Sequence, residues 1–257
     1  MIILPQSFIG RFLHRRALAR WKTAAHEVDQ RDLATLEVES KMAHQILRDA
    51  GRFKLAADDR LNLPPIGSEA FARPPGTDWS WRPEIWRAPF AGGGIAPAKP
   101  KDKITNEVVI FHDCKRAEIS LRQSRNKRDI DLSAYSLDIE VFHFDGSYLS
   151  LVIEIPSSSC EGLRKKHLIR LDAIIEKERP TKIYARLNIK HGPNTEQVLL
   201  TLPDAHDETS VEFDLAYSHL NEKRAERMWL DLMIEDPAMN KICIRDLTFS
   251  RHPRSEI

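Results

Sequence analysis

The strongest constraint on this chain is a period of two near its C-terminus. Val211, Phe213 and Leu215 alternate with Glu212 and Asp214, and Met228, Leu230, Leu232 and Ile234 alternate with Trp229, Asp231, Met233 and Glu235. Alternation of this kind predicts strands of a sheet with one buried face. The closing run from Ile242 to Phe249 changes phase, with Ile242 and Ile244 on one side and Leu247 and Phe249 on the other, so a bulge is expected near Arg245 and Asp246. Earlier segments read the same way: Val108–Phe111, Ile119–Arg122, Leu137–Phe144, Tyr148–Ile155, His167–Ile175, Lys182–Lys190 and Gln197–Leu202, with a hairpin turn at Asp145-Gly146. About ten strands with no long helix between them exclude a parallel βαβ architecture. The expectation is a mainly β protein whose antiparallel β-sandwich spans residues 105–251, followed by a tail, 252–257.

The first half has a different character. Residues 1–52 predict two amphipathic helices, the first over residues 8–26 and the second over Asp32–Ala50 with Gly51 as its C-terminal stop. In the first, Arg11, Arg15, Arg16, Arg20 and Lys22 interleave with Phe8, Ile9, Phe12, Leu13, Leu18 and Trp21, without one acidic side chain. Two readings stay open for Phe8, Arg11, Phe12, Arg15, Arg16, Arg20 and Trp21: contact with an anionic membrane or acidic partner, or packing on the chain's own domain. Residues 53–104 form an irregular, proline- and glycine-rich wrapping segment. Its Phe71, Trp79, Trp81, Trp86 and Phe90 carry more aromatic area than a solvated linker, so they are expected to lie flat on the sandwich, or to form a platform for a sugar ring.

Charge and motifs narrow the function classes. The 39 lysines and arginines nearly cancel the 38 aspartates and glutamates among 257 residues, so no global field favours a polyanion. Three scattered cysteines fit neither a disulfide framework nor a zinc cluster. The N-terminal apolar run is short, broken by Pro5 and Gln6 and followed by arginines, which does not fit a secretory signal. A cytoplasmic location, with peripheral membrane contact as an option, is the expectation. The common phosphate-loop, hydrolase and zinc-protease motifs are missing.

The candidate ligand residues come from strand faces. Along Ile183–Lys190 the apolar residues face in, which puts Tyr184, Arg186, Asn188 and Lys190 outward in a row able to stack on and hydrogen-bond a hydroxyl-rich ligand. Arg122 and Gln123 would line the same groove if their strand shares the sheet; a plain solvated face is the alternative. Asp138, Glu140 and His143 are the weaker candidates for acid/base work. Phe111-His112-Asp113-Cys114 reads as a strand end and turn, since adjacent residues point to opposite faces. The basic clusters Arg125-Asn126-Lys127-Arg128 and Arg164-Lys165-Lys166-His167 lack interleaved aromatics, which argues against nucleic-acid binding.

The closing residues Ile244, Asp246, Leu247 and Phe249 resemble the last strand of jelly-roll carbohydrate-binding modules. That resemblance implies a jelly-roll-like sandwich and a glycan ligand. It also sets Asp246 where such modules often hold a structural calcium ion, although the matching early-strand partners are not evident. The whole chain, with GTDWSWRPEIW, FHDC, LRQSRN, FDGSYLSLVIEIP, LNIKHGPNTEQ and FDLAY, resembles an uncharacterised bacterial family of similar length that brings no activity with it. The expected function is a noncatalytic binding module for a glycan or protein ligand, with no metal or cofactor. The alternative is a membrane-proximal scaffold attached by the basic helix.

Overall fold

A computed structural model describes residues 8–61, 71–90, 92–128, 131–204 and 208–254. The chain divides into two compact units, residues 1–57 and 58–257. The first unit holds helix α1 (Phe8–His26) and most of α2 (Leu33–Leu61), joined by a 3₁₀ turn at Val28–Gln30. Asp32 starts α2 by accepting from the Thr35 amide at 2.9 Å. Gly51 does not stop α2, which runs ten residues further and takes in the start of the segment expected to be irregular. The stretch Leu63–Gly67, expected to wrap, lies outside the described residues.

The second unit is an antiparallel sandwich of two sheets. One sheet contains β10 (Thr209–Asp214), β7 (His167–Lys177), β12 (Asn240–Pro253), β5 (Tyr135–Val141), β4 (Ile119–Arg125) and β2 (Gly94–Ile95) in that order, with β1 (Trp79–Trp81) as a seventh strand on β12. The other runs β3 (Val108–His112), β6 (Leu149–Ile155), β11 (Ala225–Ile234), β8 (Ile183–His191) and β9 (Asn194–Thr201). The central strands β11 and β12 are the two whose alternation is clearest in the sequence. Met228, Leu230, Leu232 and Ile234 of β11 are buried in the common core with Ile242, Ile244, Leu247 and Phe249 of β12. The register of β12 against β7 shifts between Ile244 and Asp246, so the expected bulge exists and restores both apolar pairs to one face. What was expected to be a tail begins as strand, since β12 continues to Pro253.

Trp79, Trp81, Trp86 and Phe90 of the wrapping segment pack against the sandwich core as expected, and the segment goes further than lying on the surface. It enters the fold. Strand β1 pairs with the C-terminal half of β12, and Trp81 stacks on Phe249 with ring centroids 5.7 Å apart. The short helix α3 (Glu84–Arg87) then drives Ile85 and the fully buried Trp86 into the core. At the bulge the Ile244 carbonyl accepts from Trp86 Nε1 at 2.8 Å. Gln123 fastens the same segment, donating to the Ile85 and Ala88 carbonyls (2.6 and 2.8 Å) and accepting from the Phe90 amide (2.6 Å). Trp86 is therefore a core residue, and it cannot serve as a sugar platform.

The Asp145-Gly146 turn joins β5 to β6, and glycine is needed there for close approach. A Cβ at Gly146 would collide with Asp113 Oδ1 and meet the Cys114 backbone nitrogen at 3.0 Å. Asp113 accepts from the Ser147 and Tyr148 amides, and His112 points inward to the Ala98 carbonyl. The Phe111–Cys114 run is a strand end and turn, as its spacing indicates.

Candidate functional site on the outer face of the five-stranded sheet

Because β11 buries Met228, Leu230, Leu232 and Ile234, the residues Arg227, Trp229, Asp231 and Met233 face outward. The pairing register lays them beside other outward residues in rows. Glu154, Trp229, Asn188 and Gln197 form one row across β6, β11, β8 and β9. Val109, Val152, Asp231, Arg186 and Leu199 form the next, and Phe111, Ser150, Met233, Tyr184 and Thr201 the third. A groove of about 590 Å³ runs over the β3, β6 and β11 side of these rows, with Tyr148 at its rim. Val109, Phe111, Val152, Trp229 and Met233 give the groove its apolar part, and Asp231 with Arg186 forms a polar edge toward β8.

The polar half is built around Asp231, which is 5% exposed. A buried carboxylate needs a cation and hydrogen-bond donors to offset the water it has lost. Arg186 supplies Nε and Nη2 at 2.8 and 2.7 Å, and Asn188 supplies Nδ2 at 3.0 Å. All three donors reach Oδ2, and among the described residues Oδ1 receives none. Asn188 is held in turn by Gln197, whose Nε2 donates to its Oδ1 at 3.0 Å. Nearby, the buried hydroxyl of Ser150 has no hydrogen-bond partner among the described residues.

The apolar half is built around Trp229. The Arg227 guanidinium lies over the indole, 4.6 Å from the ring centroid, and pairs with both oxygens of Glu154 on the neighbouring strand. That pairing pushes the Arg227 pKa up. The charges lining the groove cancel, Arg186 against Asp231 and Arg227 against Glu154.

Of the five expected ligand residues, three lie on this face. Arg186 belongs to its polar network and Tyr184 reaches Glu235 at the 3.5 Å limit of a hydrogen bond, but Asn188, expected to face a ligand, is 1% exposed and its side chain is spent holding Asp231. Arg122 and Gln123 do not join them. Their strand, β4, belongs to the seven-stranded sheet, where Gln123 is spent on the inserted segment. Arg122 faces Asp138 and Glu140 at 3.7 and 3.8 Å. Asp138 also accepts from Ser124 at 2.5 Å, and Lys241 lies 3.3 Å from Glu140, so these two carboxylates sit in an ion-pair cluster. Trp229, Asp231 and Met233 were missed as site residues, although their alternation put them on the outer face. The signal lacking was the register that sets β11 beside β8.

Asp246 likewise has a different role from the one the resemblance implied. Its carboxylate takes Arg82 Nε and Nη2 at 2.8 and 2.7 Å, so a guanidinium supplies the positive charge there. Burial pushes the Asp246 carboxyl above its ordinary range, against the pull of Arg82. No cluster of three or more metal-ligating side chains occurs among the described residues. A larger cavity, about 670 Å³, opens at one end of the sandwich. It is lined by Lys177, Lys182, Asp204, Glu235 and Asp236 with no aromatic ring, and Lys177 pairs with Asp204 and Lys182 with Glu235.

A family of unknown function, DUF6478, matches residues 1–257. The chain belongs to that family. No curated protein matches this member. Among solved structures, it is similar to the enzymatically active domain of bacteriophage CBA120 tailspike protein 4 (7% identity, TM-score 0.41), covering 56% of this chain but only 19% of that one. It is also similar to the family 11 carbohydrate-binding module of Clostridium thermocellum in complex with a β-1,3-1,4-mixed-linked tetrasaccharide. There the identity is 14%, the coverage 60% of this chain and 92% of that one, and the TM-score 0.38. The module TmCBM61, in complex with β-1,4-galactotriose, matches at 14% identity over 64% of this chain and 94% of its own, with a TM-score of 0.32. At these identities no side chain of the groove carries over.

Proposed function

We propose that this DUF6478 member is a noncatalytic module that binds a neutral glycan in the groove over β3, β6 and β11. The observation that carries the reading is the division of one open groove into an apolar half, with Trp229 and Met233, and a hydrogen-bonding half, with Asp231 and Arg186 backed by the buried Asn188. A pyranose has the same division, a ring face of C–H groups and a rim of hydroxyls. Asp231 Oδ1 offers an acceptor and Arg186 donors to neighbouring hydroxyls, while the indole of Trp229 packs the ring face in place of the Arg227 guanidinium that lies over it. Neutral sugars fit better than uronates or sulfated chains because each charge lining the groove already has its opposite.

A glycan array followed by calorimetry tests this. Binding to neutral oligosaccharides is expected, with Trp229→Ala weakening it by about thirtyfold, the effect of removing a central aromatic anchor. No binding across the array, or binding that Trp229→Ala leaves unchanged, would remove the reading.

A further inference from the structure

The ten residues Arg11–Arg20 of α1 are all exposed, and they include Phe12, Leu13 and Leu18 at 57, 49 and 57%. Helices of this length gain most of their stability from packing, and here packing is confined to the other end. Ala24 is buried, Trp21 is half-buried, and ion pairs tie the helical turn together: Arg31 with Glu39 at 2.5 Å and with Glu27 at 3.1 Å, and Arg20 with Glu39 at 4.0 Å. The exposed end carries Arg11, Arg15 and Arg16, and no acidic residue occurs anywhere in α1. On α2, Val38, Met42 and Ile46, spaced four apart on one face, are exposed as well, at 57, 48 and 49%.

We infer that this helical unit docks through α1 on the surface of an anionic lipid bilayer. The chemistry selects that occupant. A duplex nucleic acid would take the arginines but offer nothing to Phe12, Leu13 and Leu18, and an apolar protein groove would take those side chains but offer nothing to the arginines. The boundary between headgroups and acyl chains accepts both, because arginine stems bury while their guanidinium groups reach phosphate. No helix among the described residues is long and apolar enough to cross a membrane, so α1 lies on the surface.

Flotation of the full chain with phosphatidylcholine vesicles, with and without phosphatidylserine, tests the inference. Binding is expected only with phosphatidylserine, and it should fall as added salt shortens the screening length. Each Arg→Gln change among Arg11, Arg15 and Arg16 should lower partitioning about fivefold, while Arg→Lys retains it. Phe12→Ser with Leu13→Ser should also lower it, at unchanged charge. Trp229→Ala should leave flotation intact, which separates this site from the glycan groove. Absence of flotation at low salt, equal flotation with phosphatidylcholine alone, or indifference to the arginine changes would overturn the proposal. So would a nucleic-acid duplex that binds more tightly than the vesicles and is lost on the same arginine changes.

Discussion

The two outer faces of the sandwich share one strand geometry and have opposite characters. On the seven-stranded sheet the carboxylates are locked to cations: Asp246 to Arg82, Asp131 to Arg128, Glu176 to Arg128 and Arg245, and Asp138 to Arg122 and Lys241. Phe71 of the inserted segment packs there too, with the Arg82 guanidinium 5.1 Å from its ring centroid. On the five-stranded sheet a tryptophan, a methionine and two valines lie at an open groove beside a compact hydrogen-bonding network. The inserted segment adds β1 to one sheet and occupies Gln123 there; among the described residues it adds no strand to the other, whose outer groove is the one proposed to hold the ligand.

The sharpest way to break this contrast is on the completed side. Replacing Arg82 by leucine strands the Asp246 carboxylate in a site that is already unfavourable to charge, and should cost about 3–5 kcal/mol of stability in urea unfolding. Adding Asp246→Leu should recover most of it, and failure of the double variant to recover would deny that the pair is the cause. Trp86→Ala should cost about 3–5 kcal/mol through the cavity it leaves, without altering glycan affinity. On the open side Trp229→Ala should do the reverse, lowering affinity by about thirtyfold while the melting temperature shifts little. Arg227→Ala uncovers the indole and removes only an exposed ion pair, so a modest gain in affinity, about threefold, is expected from calorimetry. The smallest effect concerns Cys243, whose thiol burial and the neighbouring Asp138 push up to about 12. At mildly alkaline pH it remains protonated, and a thiol reagent should label it only after unfolding.

The sequence announced the sandwich because period-two alternation is a local property. Strands β11 and β12 could be read singly, and even the bulge at Arg245-Asp246 followed from a phase change inside one strand. The groove needed more than local information. Trp229 was recognisable as outward-facing, but its neighbours Glu154 and Asn188 lie 75 and 41 positions away, and only pairing brings them together. Arg122 was grouped with Arg186 for the same reason, since nothing within either strand says which sheet it joins. The inserted segment was least legible. Its prolines and glycines carry no period, and the burial of Trp86 depends on a carbonyl left accepting at a distant bulge.

The central claim, that ligand recognition belongs to the five-stranded face, is tested most directly by mapping amide and indole chemical shifts by NMR during titration with a neutral oligosaccharide taken from the array. Saturable shifts centred on Trp229, Asp231, Met233 and Arg186 are expected, with the indole N–H of Trp86 and the side-chain amide of Gln123 unmoved. Shifts centred instead on Arg122, Asp138 and Glu140, or no shifts across the neutral panel, would contradict it.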